Sequence, residues 1–310
     1  MPLPAAPINS PPAQSSPPSQ QAQNLKGITL IAMGFFAFAA CDMQAKLLTA
    51  ELPTFEVVWF RQLGLFMGVI VLLALRGPTT VLSSRRPGLQ IARGLTAAAS
   101  ASFFIFGVQY VPLADATAVS FIAPFVVTVL GALVLREPVG ARRWGAVALG
   151  FLGMLIVIRP GLGVFHPGML FVVCAAFCFA TRQIMSRWLS GADPVLTTVA
   201  YTSITSSLVL SLSLPFVWET PEGWRVWDIC AGLTLCAGVG EVLIIRALDI
   251  GQAVVLAPVQ YSLILWSTFY GFVVFGDLPD HWTFLGCGII IASGLYTVHR
   301  ERLRKAKATS

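Results

Sequence analysis

Five ionisable side chains stand in stretches of this 310-residue chain that are otherwise almost wholly apolar. Glu241 sits in "AGVGEVLIIRALD" and Arg182 in "FATRQIMSR", while Arg61, Asp42 and Asp115 lie nearer the ends of their runs. A charge held in hydrocarbon is costly, so each is a functional candidate by default. Two kinds of chemistry are open to them. A guanidinium and a carboxylate can hold each other as an internal salt bridge, or each can hold the opposite charge on a solute. Gln44 and Gln260 could add uncharged hydrogen bonds. The rings of Phe38, Phe103, Phe121, Phe179, Tyr261, Trp266 and Tyr270 could sandwich an apolar or aromatic body, although rings in such helices also serve simply as packing.

The remaining reactive residues remove several chemistries. His166, His281 and His299 fall in loops or at a helix end, and no HExxH motif is present. Cys41, Cys174, Cys178, Cys230, Cys236 and Cys287 lack the paired CxxC spacing of a zinc site and read as small buried hydrophobes. No GxxxxGK[ST] loop occurs, so the chain carries no nucleotide-driven motor. We therefore expect no catalytic residue, no metal and no cofactor. A membrane-embedded enzyme would gather several His, Asp or Glu at one membrane face, and none is seen; with a channel it remains a reading of another class.

The elements that must position these residues follow from composition. Hydrophobic residues make up 56% of the chain and charged residues 11%, against about 25% charged in soluble domains. Mean hydropathy is +0.79. A membrane-spanning helix needs about 20 mostly apolar residues. Ten such runs can be drawn, at 26–48, 55–75, 90–110, 115–135, 143–158, 168–189, 195–216, 227–248, 252–274 and 282–299. Residues 1–25, with seven prolines among Ser, Gln and Ala, are expected to be a disordered tail; they have neither the basic n-region nor the apolar h-region of a signal peptide. Residues 300–310 read as a basic cytoplasmic tail whose partner is membrane lipid rather than nucleic acid. With both termini cytoplasmic, fifteen of the twenty Lys and Arg fall on the inner side, among them Arg93, and only Lys46, Arg159 and Arg225 on the outer side.

The chain repeats itself. Placing Gly27 over Gly168 sets "FFAFAACDMQAKLLTAELP" on "AFCFATRQIMSRWLSGADP", pairing Phe38 with Phe179, Lys46 with Arg187 and Pro53 with Pro194. Gly145 and Gly153 fall on Gly286 and Gly294. Each half, 26–158 and 168–299 about a linker at 159–167, then holds five helices. Five is odd, so the second half enters from the opposite side and the halves are inverted repeats. Each fourth helix carries a proline, Pro124 or Pro258, which removes a backbone hydrogen bond and bends the helix; in a membrane this is tolerated where protein or a watered cavity satisfies the freed carbonyl. We expect these two to be gating kinks. Gly64 and Gly68 form a GxxxG motif, and "AAASAS" at 97–102 is a second small-residue face; both are expected to mark close packing within a monomer, with a dimer as the alternative.

Two five-helix halves, each with a proline-bearing fourth helix, an acidic stop (Glu137-Pro138; Asp277-Leu278-Pro279) and a glycine-studded fifth helix, resemble the drug/metabolite transporter superfamily of EamA type. The resemblance covers residues 26–299 and includes Arg61 in the second helix. Two departures are Phe38 and Phe179, where the family usually has a tryptophan in the first helix, and Asp277 where a Glu is usual. The resemblance implies an all-α, ten-helix secondary transporter of the bacterial inner membrane, with the closest branch the broad-specificity amino-acid exporters that include aromatic amino-acid exporters. Another metabolite or drug, such as a nucleobase, a vitamin or a cationic compound, is the alternative. A zwitterionic amino acid needs a cation for its carboxylate and an acid or carbonyl for its ammonium. Arg61 or Arg182, with Glu241 or Asp42, could supply that pair; for Arg61 the favoured reading is an internal ion pair or hydrogen bond that holds helices together.

Overall fold

A computed structural model describes residues 20–137, 139–160, 166–189 and 191–309. Most of the N-terminal tail (1–19), most of the linker (161–165) and Pro138 of the first acidic stop lie outside the described residues. The described residues form helices and turns only, and ten helical segments are long and apolar enough to cross a membrane. We label them α1 (Gln20–Leu48), α2 (Thr54–Arg76), α3 (Pro87–Val108), α4 (two pieces, Leu113–Ser120 and Ala123–Val134), α5 (Ala141–Ile158), α6 (Gly168–Leu189), α7 (Val195–Val217), α8 (Trp224–Ile250), α9 (a broken segment, Ala253–Phe275) and α10 (His281–Thr309). One extra turn of helix, Pro78–Val81, sits between α2 and α3.

One tail boundary needs correcting: residues 20–25 belong to α1, while residues 300–309 of the basic tail continue α10 as helix. The first turns of α3 and α8 also start three residues earlier than hydropathy suggests. For α3 the reason is Pro87 at the start, where a missing N–H costs nothing and the fixed φ suits a helix.

Every major seam joins one half to the other: α1 with α8 and α3 with α6, α2 with α8 and α3 with α7, α1 with α9 and α4 with α6, α2 with α7, and α5 with α10. Under the repeat, α1 maps on α6, α2 on α7 and so on, so the first six seams are three symmetric pairs and the last two are their own images. The halves therefore do not fold on separate cores. Glycines sit where the backbones come closest. A Cβ on Gly34 would press on Ile244 and the Gly240 carbonyl, one on Gly153 would meet Ile290 and the Gly286 carbonyl, and one on Gly107 would meet Val172 and the Gly168 carbonyl.

Both fourth helices are broken rather than bent. In α4 the chain turns at Phe121–Ile122 and resumes with Pro124 in the first turn of the second piece, again where its missing N–H is harmless. In α9, Pro258 lies in a tight 3-10 stretch, Ala257–Tyr261, followed by helix Ser262–Tyr270 and a wide final turn, Gly271–Phe275. Hydroxyls of Thr117, Ser120 and Thr128 donate back to carbonyls of Leu113, Ala116 and Pro124 along α4. The two breaks face each other: Phe121 stacks on Tyr261 at 5.1 Å between centroids, and the hydroxyls of Thr117 and Ser267 are 2.9 Å apart.

Polar contacts between the halves also close the ends. At the end bearing the chain termini, Asp193 accepts from the Arg85 N–H at 2.8 Å, from Gln90 at 2.9 Å and from the Ser84 hydroxyl. Slight burial opposes its ionisation, but these hydrogen bonds outweigh it and hold the carboxyl below its ordinary range. At the opposite end the Glu56 carboxylate accepts from the Glu219 N–H at 3.0 Å, and Arg159 pairs with Asp280.

The GxxxG motif splits in function. Gly64 lies against the Thr234 carbonyl and Gly238 of α8, whereas nothing approaches Gly68 within 4 Å. Gly64→Ala is therefore expected to destabilise by about 1–3 kcal/mol through overpacking. Gly68→Ala is expected to stabilise by up to about 1 kcal/mol, since alanine favours a helix interior. Thermal melts of the purified variants check both signs.

Candidate functional site

Five helices bring charge into the middle of the bundle. Arg61 on α2 reaches Asp42 on α1 at 3.2 Å, and both are largely buried, with 18% and 6% of the side chain accessible. Arg182 on α6 and Glu241 on α8 are each half-buried. Glu241 is near enough for its charge to act on Arg61, Arg93 and Arg182, although among the described residues no ion pair or hydrogen bond joins it to any of them.

The two arginines nearest Glu241 in role are held differently. Arg93 is held by neutral partners: its Nε donates to Ser186 Oγ of α6 at 2.8 Å, and its Nη1 donates to the Thr202 hydroxyl of α7. Arg182 lies over the ring of Phe179 at 4.7 Å, one helical turn back, and its Nε has no hydrogen-bond partner. Phe38, the repeat mate of Phe179, stands 5.9 Å beneath the Arg61 guanidinium. Each half thus presents one arginine on one aromatic face, an arrangement favourable in itself by cation–π attraction.

The other candidates divide by location. Gln44 is absorbed by the α1–α8 seam, where its Nε2 donates to the Ala40 carbonyl at 3.1 Å and to Cys236 at 3.4 Å. Phe103 stacks on Phe171 across α3 and α6 at 6.3 Å, in a run of rings that continues to Phe106 and Phe55. Phe121 and Tyr261 form the contact between the broken helices, with Gln260 beside Tyr261. Trp266 and Tyr270 flank Phe36 of α1, the indole edge-on at 5.0 Å, and the Trp266 Nε1 has no partner. Among the named rings only Phe38 and Phe179 are thus brought onto the charged cluster. Pro124 and Pro258 mark the breaks just described.

Arg93 is the residue that sequence reasoning missed. It is counted above among the basic residues at the inner helix ends; α3 begins at Pro87, so Arg93 is nearly two turns inside. The proline was the available signal, since proline at a first helical position sets the start of a helix. With Asp42 and Glu241 facing Arg61, Arg93 and Arg182, the cluster carries three guanidiniums to two carboxylates. The count leaves the guanidiniums in excess in a low-dielectric interior, a setting that favours a carboxylate group on a bound solute.

Ten apolar helices in two interlocked halves, with a charged and aromatic centre, define a multi-pass membrane protein. The model of the EamA-like transporter family matches residues 25–159 and 166–298, and the chain belongs to that family. The two matched stretches correspond to the two repeats. Similar curated proteins include an S-adenosylmethionine uptake transporter of Rickettsia felis, 29% identical over 90% of this chain and 94% of its own length. A riboflavin transporter of Vibrio cholerae is 27% identical over 89% and 94%, and a pseudopaline exporter of Pseudomonas aeruginosa 24% identical over 89% and 96%. None of these three is named for amino-acid export, so the likeness reaches the family and its transport role rather than that branch.

The Asp42–Arg61 pair generates a direct expectation. Arg61→Ala leaves a buried carboxylate uncompensated and should cost about 3–5 kcal/mol, whereas replacing both, as Asp42→Leu with Arg61→Met, should cost much less. A double-mutant cycle by thermal melting measures the coupling.

Proposed function

We propose that this protein is a carrier of the bacterial inner membrane for small metabolites that join an amino-acid head group to an aromatic body, working by alternating access. Arg182 would receive the carboxylate, Glu241 the ammonium, and the rings of Phe38 and Phe179 the aromatic part. The observation that carries this reading is the contrast between the arginines. Arg61 is paired with Asp42 and Arg93 is bonded to Ser186 and Thr202, whereas among the described residues the Arg182 guanidinium has neither an ion pair nor a hydrogen bond and rests on the Phe179 ring. Aromatic amino acids, whose efflux the sequence suggested, fit this description. So does S-adenosylmethionine, the solute named for the Rickettsia felis relative, which combines an amino-acid head with a purine. Without a motor of its own, net flow follows the gradient of solute or protons, and the family includes proteins named for uptake and for export.

Counterflow in proteoliposomes tests the reading. Unlabelled phenylalanine, S-adenosylmethionine or riboflavin is loaded inside, and uptake of labelled phenylalanine or S-adenosylmethionine is followed. Saturable exchange of a labelled amino-acid-headed solute is expected, lowered tenfold or more by Arg182→Ala and by Glu241→Gln, since truncating one member of a buried charged contact costs about 2–5 kcal/mol. Exchange of riboflavin without either amino-acid-headed solute, or exchange untouched by both substitutions, would refute the assignment.

We also propose that both termini are cytoplasmic, on the strength of the fifteen basic residues that this orientation places inside. In intact cells a membrane-impermeant maleimide is expected to leave a cysteine introduced at Ser310 unlabelled, and to label one at Glu222 in the loop before α8. The reverse pattern would invert the topology.

A further inference from the structure

The acidic stops after α4 and α9, and the matched bases Lys46 and Arg187, play no part in the site above. The structure joins them. Lys46, in the last turn of α1, pairs with Asp277 just past α9 at 3.5 Å; Arg187, in the last turn of α6, pairs with Glu137 just past α4 at 2.8 Å. The repeat maps Lys46 on Arg187 and Glu137 on Asp277, so each ion pair is the image of the other.

The backbone repeats as well. The Glu137 N–H donates to the Gly131 carbonyl at 3.2 Å, and the Asp277 N–H to the Gly271 carbonyl at 3.1 Å. Each closure follows a residue in the left-handed region, Arg136 at φ 53° and Gly276 at φ 72°. Such a residue turns the chain sharply at a helix end. Here it folds the acid back over its own helix: a Cβ on Gly131 would stand 3.3 Å from Glu137 Oε2 and 3.4 Å from Arg187 Nη1. A left-handed conformation is unfavourable for arginine, yet at 136 it places Glu137 as Gly276 places Asp277. Because the halves are inverted, the pairs lie at opposite membrane faces, Glu137–Arg187 at the end bearing the termini and Lys46–Asp277 at the other. Each ties the first helix of one half to the fourth helix of the other.

We propose that these two ion pairs are the latches of alternating access. Opening toward one face parts α1 from α9 and breaks Lys46–Asp277; opening toward the other parts α6 from α4 and breaks Glu137–Arg187. The conformation described here, with both pairs made, is the closed state between them. This rests on the carrier reading above, though not on the identity of the solute. The exposure suits a latch at one end, where Glu137 and Arg187 are each 39% accessible, and in part at the other, where Asp277 is 40% accessible but Lys46 only 14%. Exposed pairs contribute little net stability, so breaking one should change populations by about two- to fivefold, a bias that differential substrate binding can overcome. The two latches are unequal. Lys46 also stands 4.8 Å from the Phe275 ring at the end of α9, so neutralising Asp277 leaves part of that latch in place, while its 2.8 Å bond to the Val111 carbonyl stays within the first half.

Spin-label distance measurements on the full chain in nanodiscs, with the native cysteines replaced and no solute present, test this. Labels at Glu51 and Leu278 report on the α1–α9 end, and labels at Leu133 and Trp188 on the α4–α6 end; all four positions are exposed. Glu137→Gln is expected to raise the long-distance population of the Leu133–Trp188 pair about two- to fivefold without lengthening Glu51–Leu278. Asp277→Asn is expected to do the reverse, by a smaller factor. Exchanging the charges, Glu137→Arg with Arg187→Glu, should restore the wild-type distribution. Distances that lengthen together, or stay unmoved under both substitutions, would overturn the proposal. Should the cysteine-free chain fail to fold, counterflow in the native-cysteine chain decides. Rescue by the charge exchange of what Glu137→Arg alone loses supports the latches; equal loss in the single and double variants overturns them. The distances need no solute, so a carrier that exchanges solute while they stay unmoved refutes the latches and leaves the transport reading intact.

Discussion

In hydrocarbon, apolar helix faces gain nothing from leaving lipid for one another, so helices must be held by close packing and by polar contacts. In this protein those contacts run between the two halves. The glycine approaches of α1 on α8, α3 on α6 and α5 on α10, the carboxylate clamps of Asp193 and Glu56, and the ion pairs of Lys46 and Arg187 all cross from one repeat to the other. A five-helix half is thus not a unit that could fold first and dock later. It follows that any motion of one half against the other remakes seams, and that the seams easiest to remake are the exposed polar ones at the ends rather than the glycine contacts in the middle.

The central charges depend on the same frame. Asp42, Arg61, Arg93, Arg182 and Glu241 come from five helices, three of the first half and two of the second, and meet only because α1 and α2 pack on α8 while α3 packs on α6. Two of the arginines are fixed by groups on neighbouring helices and act as scaffold. Their positive charge still reaches the centre, where it adds to that of Arg182. Scaffold and site therefore share one electrostatic environment, and a substitution at Arg93 acts on both.

Much of the fold was legible in the sequence because its signal is one-dimensional. A run of about 20 apolar residues is enough to place a span, and the match of "FFAFAACDMQAKLLTAELP" on the second half is enough to place a repeat. Helix ends were less legible: α10 runs on to Thr309 because a stretch of good helix formers, Arg, Glu, Leu, Lys and Ala, can continue a helix beyond the apolar core, and hydropathy is blind to that. The site was legible only in part. Intramembrane charge pointed to Arg182, Glu241, Asp42 and Arg61, but which of these bind each other depends on which helices of opposite halves meet, and no local pattern encodes that. The same reason explains Gln44, consumed by Ala40 and Cys236 at a seam, and Phe103, stacked on Phe171 away from the charges.

The latches and the breaks lie on the same two helices, and that coincidence constrains how opening can occur. In α4 the second piece, Ala123–Val134, carries Glu137 at its end; in α9 the piece after the 3-10 stretch carries Asp277. An unbroken helix released at one end would have to tilt as a rod and disturb its far end as well. A broken one can swing its latch-bearing piece about the break, where in α4 shorter i→i−3 bonds, Phe121 N–H to the Ala118 carbonyl and Ile122 N–H to the Val119 carbonyl, replace the ordinary helical ones. The pieces are not independent, however. Phe121 stacked on Tyr261 joins the two pivots, and Thr117 with Ser267 ties the Asp277-bearing piece to the fixed part of α4. On the latch reading, swinging either piece therefore loads the other pivot, which disfavours release of both ends at once, the condition a carrier must meet to avoid becoming an open pore.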